Sequence, residues 1–376
     1  MRLSFLLLLL LFTSQNLIGQ MSFGETLKMG GNSVGFKTID FRDSSRLYGQ
    51  QYRPILISIW YPAITGNDSP VEFRDHLFIA ERKSKLTELT VSEEKATTDA
   101  FSKRISDRGA SSEALNQLLS STTGSFWNAA QTTGKYPLLL SIQGGGRPAY
   151  TQFILNQYLA SHGYIVMAIA DIRADPDRGK TNIESNINSL SADIDRVLGF
   201  VRSSGDFQIT QTGIMGFSKA GEAIIHHQMN NQRFKAITMM DAHPEGAALE
   251  FLSGQSLALV TSPLLVFFSN HQGKLSYEAA IRDSLAFTFL PNNKTHKIRL
   301  MEANHGELTS AAILGDLVPG YNRWPAFGNA RLSYETLCRL TLAFFNQHLK
   351  DLPDEQGLLR EPLKTLALPL KFLVKH

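Results

Sequence analysis

Between residues 137 and 349, short apolar runs alternate with amphipathic stretches at a steady spacing, and few architectures accept that rhythm. The apolar runs at 137–142, 164–170, 209–216, 236–240, 264–268 and 297–301 are strand-length, and most are bounded by turn residues. The stretches at 151–161, 189–203, 219–229, 277–286 and 334–349 carry apolar residues at helical spacing. Uniformly apolar strands separated by helices specify an α/β fold whose central sheet is mostly parallel and covered on both faces. In such a sheet, reactive groups collect at the carboxyl ends of the strands. A further strand at 53–62 precedes this series. The intervening residues 64–133 are polar, rich in Ser, Thr, Lys and Glu, and helix-prone. They read as a helical insertion or cap rather than as part of the sheet. Within it Leu77, Phe78, Phe126 and Trp127 either line an acyl pocket or form a local core. Residues 21–376 are thus expected to form one domain.

The first 20 residues stand apart. Arg2 is followed by an apolar stretch, residues 3–12, broken only by Ser4, then by small and polar residues ending at Gly19 and Gln20. This is the pattern of a signal peptide cut after Gly19, and it predicts export to the periplasm or beyond. An uncleaved anchor is the alternative. The stretch is too short to span a bilayer comfortably, so no stable span is expected after cleavage. The chain has one cysteine, Cys338, which excludes an internal disulfide and a cysteine-based metal cluster. Cys338 lies within a helical apolar pattern and reads as a core residue. The formal charge of +3 over 376 residues makes no case for nucleic-acid binding.

Six residues carry the chemistry of the centre of the chain: Gly216, Phe217, Ser218, Lys219, Ala220 and Gly221. They sit between a strand and a helix, where a serine forced into a sharp turn presents its hydroxyl above the sheet. Small residues two places to either side let strand and helix approach. Gly216 meets that need; Ala220 stands where a second glycine is usual, with Gly221 next. A serine capping the following helix is the structural alternative.

A nucleophilic serine needs a base and a group that orients it. His305 follows the last strand, with Gly306 behind it, and histidine titrates in the range that proton transfer requires. His296 stands at the wrong end of that strand. His162, His226 and His227 read as surface or capping residues, and His243 as a loop residue. For the acid, the strand at 264–268 runs into Ser269-Asn270-His271 with no carboxylate. The preceding strand ends directly in Asp241, beside the serine's strand, which makes Asp241 the candidate. Capping of the next segment is its alternative role.

A tetrahedral intermediate needs two N–H donors. Lys219 offers one, directly after the serine. The turn Gln143-Gly144-Gly145-Gly146 after the strand at 137–142 offers the other. No Gly-Lys-Ser/Thr follows these glycines, so they are not a phosphate-binding loop.

At these residues the chain resembles the α/β-hydrolases, in their platelet-activating-factor acetylhydrolase-like and dienelactone-hydrolase-like branch. The matching segments are RPILISIWYPA from Arg53, KYPLLLSIQGGG from Lys135, LASHGYIVMAI from Leu159, DIDRVLGFV from Asp193, GIMGFSKAG and MMDAHP, within residues 34–350. The resemblance implies Ser218 as nucleophile, Asp241 as acid, His305 as base, and Gly145 and Lys219 as oxyanion donors. Trp60-Tyr61-Pro62 and the acid at Asp241 point to the acetylhydrolase side. Gln143 in place of a histidine and Ala220 in place of a glycine are departures.

The expected activity is hydrolysis of carboxylic esters with short acyl groups, on a small or lipid-like substrate, with no cofactor and no metal. Alternatives are a catalytically silent hydrolase-fold binding protein, an esterase of polyesters or acylated glycans, acyl transfer to another acceptor, or peptide hydrolysis. No motif specifies oligomeric state.

Overall fold

The computed structural model describes residues 27–173, 182–242, 246–253, 260–270, 295–323, 328–354, 357–360 and 370–372. The segment read as a signal peptide, the helix expected at 277–286 and His243 lie outside these residues. No described helix is long and apolar enough to cross a membrane.

Five consecutive parallel pairings build the centre of the sheet. Strands β6 (Tyr136–Gln143), β7 (Ile165–Ile169), β8 (Ile209–Phe217), β9 (Ile237–Met240), β10 (Leu264–Phe268) and β11 (Thr295–Leu300) lie in the order β11-β10-β9-β8-β6-β7. On the far side of β7 come β2 (Gln51–Ile64) and β1 (Ser33–Tyr48), both antiparallel to their inner neighbours. A short strand, β12 (Leu370–Phe372), closes the other edge against β11.

The inner strands are apolar throughout because both faces are covered. Successive side chains point to opposite faces. In β6, Leu139 belongs to one core, while Leu138, Leu140 and Ile142 belong to the other. Helices α4 (Phe153–Ser161) and α7 (Ala330–Leu349) cover the first face. Helices α5 (Ile183–Ser204) and α6 (Ala220–Asn231) cover the second. Cys338 is buried within α7, as a core residue should be.

One buried ion pair links distant parts of the chain. Arg53 on β2 makes two bonds to the Asp193 carboxylate on α5, at 2.7 and 2.6 Å, and donates to the Arg173 carbonyl at 2.7 Å. Removal of Asp193 would strand the buried Arg53 charge, which costs about 3–5 kcal/mol, whereas Asp193 without Arg53 keeps Arg46 at 2.7 Å.

Residues 64–133, read as a helix-prone insertion or cap rather than part of the sheet, contain strands as well as helices. They hold three helices, α1 (Phe73–Glu81), α2 (Val91–Ser106) and α3 (Ser112–Ser120), but also strands β3 (Pro70–Glu72), β4 (Thr122–Trp127) and β5 (Ala130–Gln131). Strand β4 joins the sheet beside β1, β3 pairs with β4, and β5 pairs with β2. The polar composition concealed these strands because edge strands need only one apolar face. Leu77 is buried in the core and Trp127 packs against it. Phe126 packs against the opposite core.

Strand β6 pairs with both β7 and β8, so the chain reverses its direction of travel across the sheet there. Gln143 lies opposite Phe217 in that register. The crevice at such a reversal, outside the carboxyl ends, is where open α/β sheets bind ligands.

Candidate active site

Ser218 leaves β8 with φ +57°, in the left-handed region where a residue with a side chain is strained. The strain is held by neighbours on both sides. The Ser218 N–H donates to the Met240 carbonyl at 3.1 Å, and its carbonyl accepts from the Gly221 N–H at 3.1 Å. Gly221 has no alternative here, because a Cβ would overlap the Ala242 carbonyl. Ala220 is fully buried at the departure noted in the sequence. Its methyl group fits because Gly216 opposite carries none: a Cβ on Gly216 would fall 3.2 Å from it. The close approach demanded of a glycine has moved one residue along, to Gly221.

His305 stands in a short 3-10 turn, His305–Leu308, after β11. Asn304 and Glu307 cap it reciprocally. The Asn304 side chain accepts from the N–H groups of Gly306 and Glu307, and the Glu307 carboxylate accepts from the Asn304 N–H at 2.8 Å. The pattern Asn304-x-x-Glu307 is a legible capping box that the sequence reading passed over. Phe217 stacks on the His305 ring, with centroids 4.7 Å apart.

These elements bring the three sequence candidates together. His305 Nε2 is 3.0 Å from Ser218 Oγ, and His305 Nδ1 is 2.8 Å from Asp241 Oδ2. With Nδ1 donating to the carboxylate, Nε2 is left to accept the serine proton. Asp241 itself has φ +46°, and its N–H donates to the Phe267 carbonyl at 2.9 Å, which turns its carboxylate across the end of β10.

The position after β10, which has no acid, supports one. Ser269 donates its N–H to Asp241 Oδ1 at 2.9 Å and its hydroxyl to Oδ2. Burial by itself would raise the Asp241 pKa. The bond and charge of His305 and the two bonds from Ser269 outweigh it and hold the carboxyl at about 2. Arg299, also buried, feels the Asp241 charge and donates to the Ser269 carbonyl. Asn270 anchors the histidine loop, donating its N–H to the Ala303 carbonyl and its amide to the Met301 carbonyl, each at 2.8 Å.

The glycine turn after β6 packs on the serine turn. The Gly144 N–H donates to the Phe217 carbonyl at 3.1 Å, and a Cβ on Gly144 would lie 2.6 Å from the Lys219 nitrogen. Gly145 and Gly146 follow with φ +72° and +76°. Their loop is held from outside by residues that the sequence reading missed. Asp171 accepts from the Gly146 N–H at 2.8 Å and from the Arg173 N–H at 2.7 Å. Arg173 donates to the Gly145 carbonyl at 3.1 Å, and Lys83 to the Gly146 carbonyl at 3.1 Å. Asp171 lies just past β7, so the rule of strand carboxyl ends was the available signal. Among the described residues nothing accepts from the N–H of Gly145 or Lys219. Gln143 is buried, with its amide nitrogen 3.2 Å from Ser141 Oγ, and fills the place of the usual histidine.

A cavity of about 510 Å³ opens beside His305, lined in part by Gly146, Arg147, Pro148 and Tyr150. Phe153 at the start of α4 is buried in the core. Lys219 Nζ pairs with Glu222 at 3.0 Å. His227 pairs with Asp195 at 3.1 Å, and His296 packs against Phe344. No described cluster of His, Cys, Asp or Glu suits a metal ion.

No family model matches the chain, and no curated protein does. Among solved structures, it is similar to a ferulic acid esterase from Streptomyces cinnamoneus, with a TM-score of 0.67 and 17% sequence identity over 91% of this chain and 96% of that one. At that identity the likeness speaks for architecture, and the architecture is the α/β-hydrolase fold.

Proposed function

We propose that the chain is a serine hydrolase of carboxylic esters that works through an acyl-enzyme. The observation that carries this reading is the continuous chain of bonds from Ser218 through His305 to Asp241, starting at a serine held with φ +57°. In the reaction, His305 Nε2 takes the Ser218 proton as Oγ attacks the ester carbonyl. The negative charge that develops on the carbonyl oxygen is met by the Lys219 and Gly145 N–H groups, which have no described acceptor of their own. Asp241 stays ionised and stabilises the protonated imidazole. Collapse of the intermediate expels the alcohol, which takes the proton from Nε2. Water then repeats the sequence on the acyl-serine and releases the acid.

Ser218→Ala tests the assignment. Loss of a triad nucleophile lowers kcat by about 10⁴–10⁶. The variant should therefore be inactive on p-nitrophenyl esters and should not label with a fluorophosphonate, while its Tm stays close to wild type. Retention of more than about a tenth of activity, against losses of that size, would remove Ser218 from the role.

A further inference from the structure

The wall of the cavity beside His305 is basic. Arg104 near the end of α2, Arg108 just beyond it, Arg147 directly after the glycine turn and Arg323 all line it, and no described lining residue is a carboxylate. No described carboxylate lies within ion-pair distance of Arg104, Arg108 or Arg147. Arg104 and Arg147 share this wall with Tyr150 and Tyr321, and the Arg104 guanidinium donates to the Tyr150 hydroxyl. Arg108 is tied to the same corner, donating to the Tyr321 carbonyl at 3.4 Å.

The corner is coupled to the reacting groups. The Arg147 guanidinium lies 5.1 Å from the centre of the Phe217 ring, and that ring stacks on His305. His305 lines this cavity and contacts Ser218, so a substrate whose carbonyl carbon meets Ser218 can reach a space walled by arginine and tyrosine donors. Guanidinium groups at the rim of a cavity attract and orient oxyanions, binding them through paired N–H donors.

We propose that this cavity selects esters that carry an oxyanion, a carboxylate or a sulfonate-like group, on the part of the substrate lodged between Arg104 and Arg147. The proposal rests on the esterase reading for its catalytic consequence, but the anion site itself exists independently of turnover. It narrows the substrate class from esters in general to negatively charged ones. It also assigns the end of the 64–133 segment a role in recognition, because Arg104 and Arg108 come from there.

The test compares 4-acetoxybenzoate, 4-acetoxybenzenesulfonate and neutral methyl 4-acetoxybenzoate, with each kcat/KM divided by the spontaneous hydrolysis rate. A second set places the charge on the acyl side, with the p-nitrophenyl half-ester of adipic acid against its methyl ester. In at least one set the anionic member should be favoured by about tenfold or more at low salt, an advantage that shrinks as salt screens the site. Arg104→Gln with Arg147→Gln should lower that ratio by about tenfold, and Arg104→Glu should reverse it, as expected for removing or inverting charges that contribute about 1.4 kcal/mol. The carboxylate and sulfonate arms decide which oxyanion the site prefers. Ser218→Ala provides a readout without turnover: calorimetry with 4-acetoxybenzoate should show binding that weakens with salt and in the Arg104→Gln/Arg147→Gln background. Binding of that kind by a wild-type protein that hydrolyses no ester would overturn the esterase reading and sustain the anion site. Turnover that depends on Ser218 but prefers neutral members of both sets, or a ratio unmoved by the arginine changes, would overturn the anion site alone.

Discussion

Ser269 gives both its N–H and its hydroxyl to the Asp241 carboxylate, so the residue at the end of β10 serves the acid at the end of β9. An acid displaced to the neighbouring strand needs this support. It is buried, and without donors its charge would be costly. The two strands thus share one task, with the charge on one and its solvation on the other.

Ser269→Ala should expose that division. Loss of a hydrogen bond to a charged group costs about 1.5–3 kcal/mol, so kcat should fall by about tenfold or more. The pH dependence has a defined sign. The folded Asp241 carboxyl sits at about 2 against an ordinary 3.8. Its stabilisation is therefore complete above about pH 4 and is lost as the pH falls toward about 2. The variant's pKa should rise, so its Tm deficit should be largest at neutral pH and should vanish near about pH 2. A Tm deficit that stays constant across an acid titration would break the link to Asp241.

Asp241→Asn and Asn270→Ala should differ in kind. The amide cannot hold His305 in the required tautomer, and kcat should fall by about 10⁴. Asn270→Ala removes only the amide bond to the Met301 carbonyl and keeps the N–H bond to the Ala303 carbonyl, so it should cost no more than about tenfold through looser placement of His305. Equal, mild effects in steady-state kinetics would place the acid elsewhere.

Gly144→Ala and Gly145→Ala separate close approach from backbone conformation. A methyl group on Gly144 meets the backbone of Lys219 and Ala220, while one on Gly145 meets open space at φ +72°. The first should cost about 3 kcal/mol and push the glycine turn off the serine turn. The second should cost only about 1–2 kcal/mol of conformational strain. Thermal melts give the two losses, and a larger loss at Gly145 would contradict the packing described.

Asp171→Ala should lower kcat more than it raises KM. Its carboxylate fixes the Gly146 N–H and, through Arg173, the Gly145 carbonyl, so it orients a proposed oxyanion donor without touching substrate. Loss of a full oxyanion donor costs about 10²–10³ in kcat, and a misoriented one should cost about tenfold. A change confined to KM would argue against this positioning role.

Acyl-chain preference should favour roughly two to six carbons, because each buried methylene adds only about 0.8 kcal/mol and a blocked channel cancels that gain. Arg147, Pro148 and Tyr150 stand in the cavity wall beside His305, where a long chain would need apolar lining. Comparison of kcat/KM for p-nitrophenyl acetate, butyrate, octanoate and palmitate tests this, and a steady rise to palmitate would refute it.

The alternation of apolar and amphipathic segments was enough to specify a parallel, doubly covered sheet, because side-chain period and burial are local properties of the chain. Ser218, Asp241 and His305 were legible for the same reason. Ser218 and Asp241 follow apolar runs directly and His305 lies in the loop just beyond one, and the carboxyl ends of parallel strands converge whatever the details of packing. Tertiary structure alone decided what surrounds them. The bonds of Asp241 to Ser269, of Asp171 to Gly146 and of Arg53 to Asp193 join residues 25 to 140 positions apart. The strands within 64–133 were hidden likewise, since β4 is paired on one side by β3 and on the other by the distant β1. The placing of Arg104, Arg147, Tyr150 and Tyr321 in one cavity wall belongs to the same class. Composition counts charges, but only the folded chain determines which of them face one another across a cavity.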